Sequence, residues 1–392
     1  MTKSFIRAAI LALLLAFPAT VLAEDASGIE GLFNVEIRVV LARSVVATEL
    51  SADENLLVSS TESGARLSIA GATGKITAKR DRQGIKLNNL VFPVRSIRVD
   101  SPTGTISFNK KKYRGYMVLW DNERGTFDVV NHLPLEDYLR SVVSMEMPRS
   151  WPLEALKAQA IAARTYAMFK RQENSGNYFD VETDVMDQAY GGIAAESETT
   201  DAAVSGTAGM VLMYENTIVR AYFHSNAGDR TENGGEVFRS MELPYLKSVP
   251  CPYGVNAPSS AWQTSIRLPE IESALSRASL FSGKISDISI NSYTKTGRVR
   301  QLRIKSRTQN ELVEAAAFRL AVGPSRLKST RFSMHKSGQT VMFRGVGYGH
   351  GVGLCQWGAK GMAENKRDYK EILSHYYPGT TITTRLTMPD TE

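Results

Sequence analysis

A single carboxylate, Glu146, stands between two methionines in the segment SMEMPRSWP, at the end of an otherwise apolar run. The apolar residues from Leu135 to Val143 recur at helical spacing, and Glu146 returns to nearly the same azimuth as Leu135. We therefore expect its carboxyl group on the buried face, at the C-terminal end of a helix. Burial and the helix dipole there both raise a carboxyl pKa, which suits a general acid. The alternative is a structural Glu that caps a helix or pairs with Arg149 or Arg164.

Two further segments carry polar groups. FHSNAGDRTEN holds His224 and Ser225, but neighbours on a strand point to opposite faces and cannot form a nucleophile–base pair. The glycine-rich GYGHGVGLCQWGA holds His350 and Cys355, which a thiol peptidase could use. That alternative is weak, because no third orienting residue is evident. Close backbone approach is the more economical role for these glycines.

The chain has two cysteines, Cys251 and Cys355. In an exported chain they allow a disulfide, which would close a loop of about 100 residues and contribute ~4–5 kcal/mol. The five histidines show no HExxH-like or CxxC-like spacing. We therefore predict no metal and no cofactor.

The N-terminus resembles a secretory signal peptide over residues 1–23: Lys3 and Arg7 precede a short apolar run, and VLA resembles a cleavage site. Removing those two cations takes the net charge from +7 to 7 − 2 = +5, which is diffuse and does not indicate nucleic-acid binding. No later stretch is long enough to span a bilayer. We expect a soluble protein exported to the bacterial periplasm or cell envelope, with an uncleaved N-terminal anchor as the alternative.

The remaining 369 residues predict an α+β fold in several sections. Residues 24–130 are β-rich, with short β-branched runs separated by turn residues. Residues 131–254 carry helices and Glu146, and residues 255–335 form a small α/β section. Residues 336–392 hold the glycine-rich motif and a helix that completes the core. We expect the β-rich region to pack on this mixed α/β core.

Four segments occur in a characteristic order: LPLEDYLRSVVSMEMPRSWPLEALKAQAIAARTYA, DQAYGG, FHSNAGDRTEN and GYGHGVGLCQWGAKGMA. Together they resemble the SpoIID/LytB family, the stage II sporulation protein D-like proteins, from Val39 to Thr383. The resemblance implies a peptidoglycan lytic transglycosylase that cleaves the MurNAc–GlcNAc bond and forms 1,6-anhydro-MurNAc, in some members on peptide-stripped strands. The family's catalytic Glu corresponds to Glu146. Other relatives modify cell-wall amidases, so a non-catalytic glycan-binding modifier with an amidase partner is the alternative.

The resemblance also implies a glycan groove around Glu146. Its expected substrate-binding residues, which hydrogen-bond or stack on sugars, are Arg164, Tyr166, Asp187, Gln188, Tyr190, His224, Ser225, His350, Gln356 and Trp357. Some relatives hold zinc through Cys and His in the segment corresponding to DVETDVMDQAY. This chain has Glu182, Met186 and Asp187 there, which supports the prediction of no zinc. Relatives usually have Ser at the position of Cys355, which further weakens the peptidase alternative.

Overall fold

The computed structural model describes residues 35–66, 74–183, 187–238, 242–255, 257–258 and 260–384. The predicted signal peptide, residues 1–23, and Met186 lie outside the described residues. Within those ranges, no helix is both long enough and apolar enough to cross a membrane.

The N-terminal region is built from strands, as predicted. They are β1 (Glu36–Val45), β2 (Ala47–Ser51), β3 (Leu57–Ser60), β4 (Lys75–Asp81), β5 (Gly84–Leu87), β6 (Leu90–Phe92), β7 (Ser96–Asp100), β8 (Thr105–Phe108), β9 (Lys111–Arg114), β10 (Tyr116–Asp121) and β11 (Phe127–Pro134). A short strand from later in the chain, β12 (Val181–Glu182), joins them. One six-stranded sheet has the order β12-β1-β11-β10-β7-β3, and a second has the order β6-β5-β4-β2-β8-β9. The parallel pairing of β12 with β1 ties the later chain back to the first sheet.

The chain becomes helical directly after β11. The next elements are α1 (Leu135–Glu146), α2 (Leu153–Glu173), α3 (Glu198–Ser205), β13 (Val211–Tyr214), β14 (Thr217–Ile218), β15 (Phe223–His224) and α4 (Gly234–Val237). Short 3-10 turns cover Ile193–Ala195, Pro244–Leu246 and Pro252–Gly254. β13 and β14 form a hairpin, and its turn residues Glu215 and Asn216 both adopt positive φ.

A smaller unit follows, with its own hydrophobic core. It contains β16 (Ala261–Arg267), α5 (Leu268–Arg277), β17 (Asp287–Tyr293), β18 (Val299–Lys305), β19 (Asn310–Glu314), α6 (Ala315–Val322), β20 (Phe332–Ser337) and β21 (Thr340–Val346). Its sheets have the orders β16-β21-β20 and β17-β18-β19. We expected this section to end at residue 335, but β21 pairs along the whole of β16 and extends the unit to Val346.

The last segment returns to the main core through β22 (Leu354–Cys355), α7 (Gln356–Glu364), α8 (Tyr369–Tyr376) and β23 (Thr381–Thr383). The main core is continuous: Leu119 from the first sheet, Leu139 from α1 and Leu354 from β22 belong to one cluster. The β-rich region therefore shares its core with the helices. The mixture of helices and strands confirms the α+β class.

Candidate active site

Glu146 is the last residue of α1, as the apolar spacing predicted. Tyr138, Leu139, Val142 and Val143 form the buried face of this helix. The helix ends there for a local reason, because the next residue precedes a proline, which disfavours helical backbone, and it adopts extended φ and ψ of −130° and 139°. The acid is thus held at the junction of a helix and an extended turn.

Two hydrogen bonds hold the carboxyl group of Glu146. The backbone N–H of Ala189 donates to Oε1 at 3.1 Å, and the side-chain amide of Gln356 donates to Oε2 at 3.1 Å. Burial raises the pKa of Glu146, while the two hydrogen bonds act in the opposite direction without cancelling that rise. The side chain keeps part of its surface accessible. Each oxygen retains a second lone pair, so the group can still exchange a proton with a ligand.

The segment around Ala189 is anchored by two buried side chains. Gln188 accepts a hydrogen bond from the hydroxyl of Tyr138 at 3.1 Å and donates to a backbone carbonyl of α2 at 3.2 Å. The hydroxyl of Tyr190 donates to the side-chain carbonyl of Asn131 at 2.8 Å. Both residues were expected to touch substrate; the structure places them beneath the segment, where they fix the N–H that reaches the acid.

Tyr166 and Asp187 hold the start of the same segment. The hydroxyl of Tyr166 donates to Asp187 Oδ1 at 2.8 Å, and the backbone N–H of Glu182 donates to Oδ2 at 2.9 Å. Burial, and then the negative charge of Asp187, raise the pKa of Tyr166 far above its ordinary value. Tyr166 is therefore a neutral hydroxyl committed to this contact.

The short parallel sheet of β15 and β22 brings the third and fourth sequence motifs together. His224 pairs with Cys355, so Ser225 lies beside Gln356. The backbone N–H of Trp357 donates to the carbonyl of Ser225 at 3.1 Å. The indole ring of Trp357 is half-buried and packs edge-on against Trp151, with ring centroids 4.8 Å apart. An accessible aromatic ring thus follows directly after the amide that contacts Glu146.

Gln159 is a site residue that sequence reasoning missed. It is fully buried on α2, and its side-chain oxygen lies 3.5 Å from the amide nitrogen of Gln356. A lone amide within the apolar run ALKAQAIAA was the available signal. Burying an amide without a hydrogen-bond partner is costly, so a buried amide usually has a specific partner. The Ala189 contact was also missed, and it uses a backbone group that side-chain chemistry does not reveal.

The buried His224 and the half-buried His350 lie side by side at the root of the glycine-rich loop, with ring centroids 5.4 Å apart. His350 accepts a hydrogen bond from the backbone N–H of Val352 at 3.0 Å and donates to the carbonyl of Phe223 at 2.9 Å, which defines a neutral tautomer. Burial lowers the pKa of His350 to about 4. His224 donates to the carbonyl of Val352 at 3.0 Å, and burial holds its pKa well below 6.5. Nδ1 of His224 and both ring nitrogens of His350 serve backbone contacts between β15 and the loop, whereas Nε2 of His224 is buried without a hydrogen-bond partner among the described residues.

Cys251 and Cys355 are both buried free thiols, so the disulfide that the sequence allowed is not formed in this structure. The Cys251 thiol lies 3.2 Å from the hydroxyl oxygen of Tyr376, and the sulfur of Cys355 accepts a hydrogen bond from the backbone N–H of Ala227 at 3.2 Å. Burial raises the pKa of Cys355 well above its ordinary value, which disfavours a nucleophilic thiolate. Because both ring nitrogens of His350 are engaged elsewhere, the Cys355–His350 peptidase lacks its base.

Arg164 lies away from the acid, contrary to expectation. It is fully buried and forms a bidentate ion pair with Glu136, with both N···O distances at 2.7 Å. Glu136 is in the first turn of α1 and Glu146 is in the last, roughly 15 Å apart at 1.5 Å per residue. Arg164 therefore joins α1 to α2 instead of binding a ligand beside Glu146.

Two family models match the chain. One, described as stage II sporulation protein, covers residues 123–214, which include Glu146 and the segment that holds it. The other, a domain of unknown function (DUF8618), covers residues 253–353, close to the smaller unit. The chain is also 31% identical over 271 residues to stage II sporulation protein D of Bacillus amyloliquefaciens, covering 64% of this chain and 75% of that protein.

The chain belongs to the SpoIID family. This confirms the resemblance seen in the four motifs. Another relative of this SpoIID protein is an uncharacterized protein of Brachyspira hyodysenteriae, 35% identical over 77% of this chain and 80% of that protein. The amidase enhancer of Bacillus subtilis is 32% identical over 62% of this chain, but the match spans only 40% of the enhancer.

Proposed function

We propose that this SpoIID protein is a peptidoglycan lytic transglycosylase, exported to the periplasm or cell envelope, in which Glu146 is the single acid and base. Family membership supports a cell-wall related role. The observation that carries the specific reaction is the partly accessible Glu146 carboxyl, whose pKa is raised by burial and whose oxygens are oriented by Ala189 and Gln356.

One carboxyl group is enough for this reaction. Protonated Glu146 donates its proton to the glycosidic oxygen as the bond from that oxygen to C1 of MurNAc breaks, and the GlcNAc hydroxyl leaves. The resulting carboxylate then takes the proton from the C6 hydroxyl of MurNAc. The C6 oxygen closes on C1 and forms the 1,6-anhydro ring. Because no water attacks, the second carboxylate of ordinary glycosidases is not required.

The surroundings of Glu146 suit both halves of this cycle. Burial favours the protonated form for the first step, and the two donors stabilise the carboxylate that the first step creates. The half-buried ring of Trp357 offers an apolar face on which a sugar ring can stack. The expected glycan groove would run past these two side chains.

The second candidate is a glycan-binding modifier of a cell-wall amidase, without catalysis of its own. The relative named amidase enhancer favours it. In that case Glu146 would contact the glycan without transferring a proton, and the biological partner would be the amidase.

Digestion of purified glycan strands, with and without stem peptides, separates the two candidates. The transglycosylase releases fragments with 1,6-anhydro-MurNAc ends, detected by mass spectrometry, and Glu146→Gln abolishes them. Glu364→Gln, an exposed Glu on α7, is the matched control and should retain activity. The modifier would be established instead by two results together. The folded wild-type chain would give no anhydro ends in the digest, and a cell-wall amidase would release stem peptides faster with this chain than without it.

A further inference from the structure

A second candidate binding site lies on the outer face of the first sheet. A cavity of about 340 Å³ opens there, lined by residues that include Trp120, Tyr178, Asn122 and Arg124. Trp120 is on β10 and pairs with Asp128 at the start of β11, whereas α1 begins after the other end of β11. The cavity is therefore at the opposite end of this strand from the helix that carries the proposed acid.

The wall of the cavity is a fixed aromatic pair. The rings of Trp120 and Tyr178 are stacked, with centroids 4.9 Å apart and an interplanar angle of 7°, and both remain partly accessible. On β10, Leu119 packs in the main core, whereas Val118 belongs to a separate cluster on the other side of the sheet, against which Trp120 packs. Strand alternation therefore directs Trp120 to the outer face. An accessible tryptophan on this face is a flat apolar surface presented to a ligand.

A buried carboxylate holds this wall in place. Asp128 accepts hydrogen bonds from the hydroxyl of Tyr178 at 2.6 Å, from the Asn122 amide at 3.0 Å, from Arg43 at 3.1 Å and from the backbone N–H of Ser44 at 2.8 Å. Its exposed fraction is only 3%. Four donors converging on one carboxylate fix the tyrosine ring and the amide before any ligand arrives, which lowers the entropy cost of binding.

The charges around the cavity favour a neutral ligand. Among the lining residues three arginines are balanced by three carboxylates. Arg43 is paired with Asp128, and Arg95 is paired with Glu123. Within the part of the chain that the structure describes, the guanidinium of Arg124 has no ion-pair partner, so its donors are available. A polyanion would find no excess of positive charge here. A neutral ligand rich in hydroxyl and carbonyl oxygens could instead accept hydrogen bonds from these donors.

We propose that this cavity binds an N-acetylated amino sugar of a glycan strand. The apolar face of the sugar ring would lie on Trp120, while Arg124 and the remaining amide hydrogen of Asn122 would donate to its hydroxyl and acetamido oxygens. The choice of wall glycan as ligand rests on the proposed function, but binding at this cavity does not require cleavage. Such a site would hold a strand at a distance from Glu146 and raise its local concentration at the acid.

The test monitors the cavity directly by NMR. The Glu146→Gln chain, which cannot turn over, is titrated with a peptide-free GlcNAc–MurNAc tetrasaccharide, and the four tryptophan indole N–H signals are followed. Trp120→Phe identifies the Trp120 signal. We expect this signal to shift saturably, and its midpoint to rise about tenfold in Arg124→Ala. Arg307→Ala, an exposed arginine of the smaller unit, is the matched control and should leave the midpoint unchanged.

Two results would overturn the proposal: a Trp120 signal that does not move at saturating tetrasaccharide, or an unchanged midpoint in folded Arg124→Ala. Arg124 is exposed, so its removal does not threaten the fold. Failure of the proposed function looks different. In that case the wild-type chain releases no anhydro ends, yet the Trp120 signal still shifts and the cavity remains a glycan site.

Discussion

Removal of the Gln356 amide should move the pH dependence of glycan cleavage toward alkaline pH. This amide donates to Glu146 at 3.1 Å and favours its carboxylate form. A hydrogen bond to a charged group is worth about 1.5–3 kcal/mol, and we take ~1.4 kcal/mol because the side chain is partly accessible to solvent. That energy corresponds to a displacement of about one pH unit. Gln356→Ala should therefore raise the pKa of Glu146 further, beyond the rise that burial already causes.

The assay is the initial rate of 1,6-anhydro end formation across the pH range. A general acid must be protonated, so the rate falls as the pH rises through the pKa of Glu146. In Gln356→Ala this descending limb should lie about one pH unit higher than in wild type. Gln263→Ala, an exposed glutamine on β16, is the matched control and should leave the profile in place. A descending limb that stays fixed or moves to lower pH would refute the role of Gln356 in setting the protonation of the acid.

Three further predictions concern stability. Arg164→Met should lower the free energy of unfolding in urea by about 3 kcal/mol, because it leaves the Glu136 carboxylate without its buried partner, and glycan affinity should not change. Gly353→Ala should cost more than ~3 kcal/mol, since its Cβ would lie 2.0 Å from a backbone carbonyl, whereas Gly338→Ala, also at positive φ but in open space, should cost only about 1 kcal/mol. The urea midpoint should fall as the pH drops from 6.5 toward about 4, because His350 stays neutral in the folded chain but takes up a proton when the chain unfolds, and His350→Gln should weaken this dependence.

The position of Glu146 follows from local rules. Apolar spacing from Leu135 onward places it on the buried face of α1, and Pro148 ends the helix at Glu146 because it disfavours helical backbone at the residue between them. The hairpin turn at Glu215 and Asn216 was equally local. Each of these features depends on interactions within a few residues of the chain, which a single sequence displays directly.

The partner of Arg164 could not be predicted from the sequence, because the contact joins residues that are distant along the chain. An arginine within a motif has the same appearance whether it faces a ligand or a carboxylate of another helix. Its partner, Glu136, lies 28 residues earlier, and the close packing of α1 on α2 is what joins them. The histidines show the same limit, since the backbone carbonyl that receives the Nδ1 proton of His224 belongs to Val352, 128 residues away.

By itself, the sequence determined the family, the α+β class and the residue that carries the proposed acid, because long motifs and apolar periodicity are written in neighbouring residues. Tertiary structure alone decided which groups hold that acid. Ala189 and Gln356 lie 43 and 210 residues beyond Glu146, and they reach it only because the anchored segment and the β15–β22 pairing bring them there. Hydrogen bonds depend on distance and direction in space, and neither quantity is encoded by position along the chain.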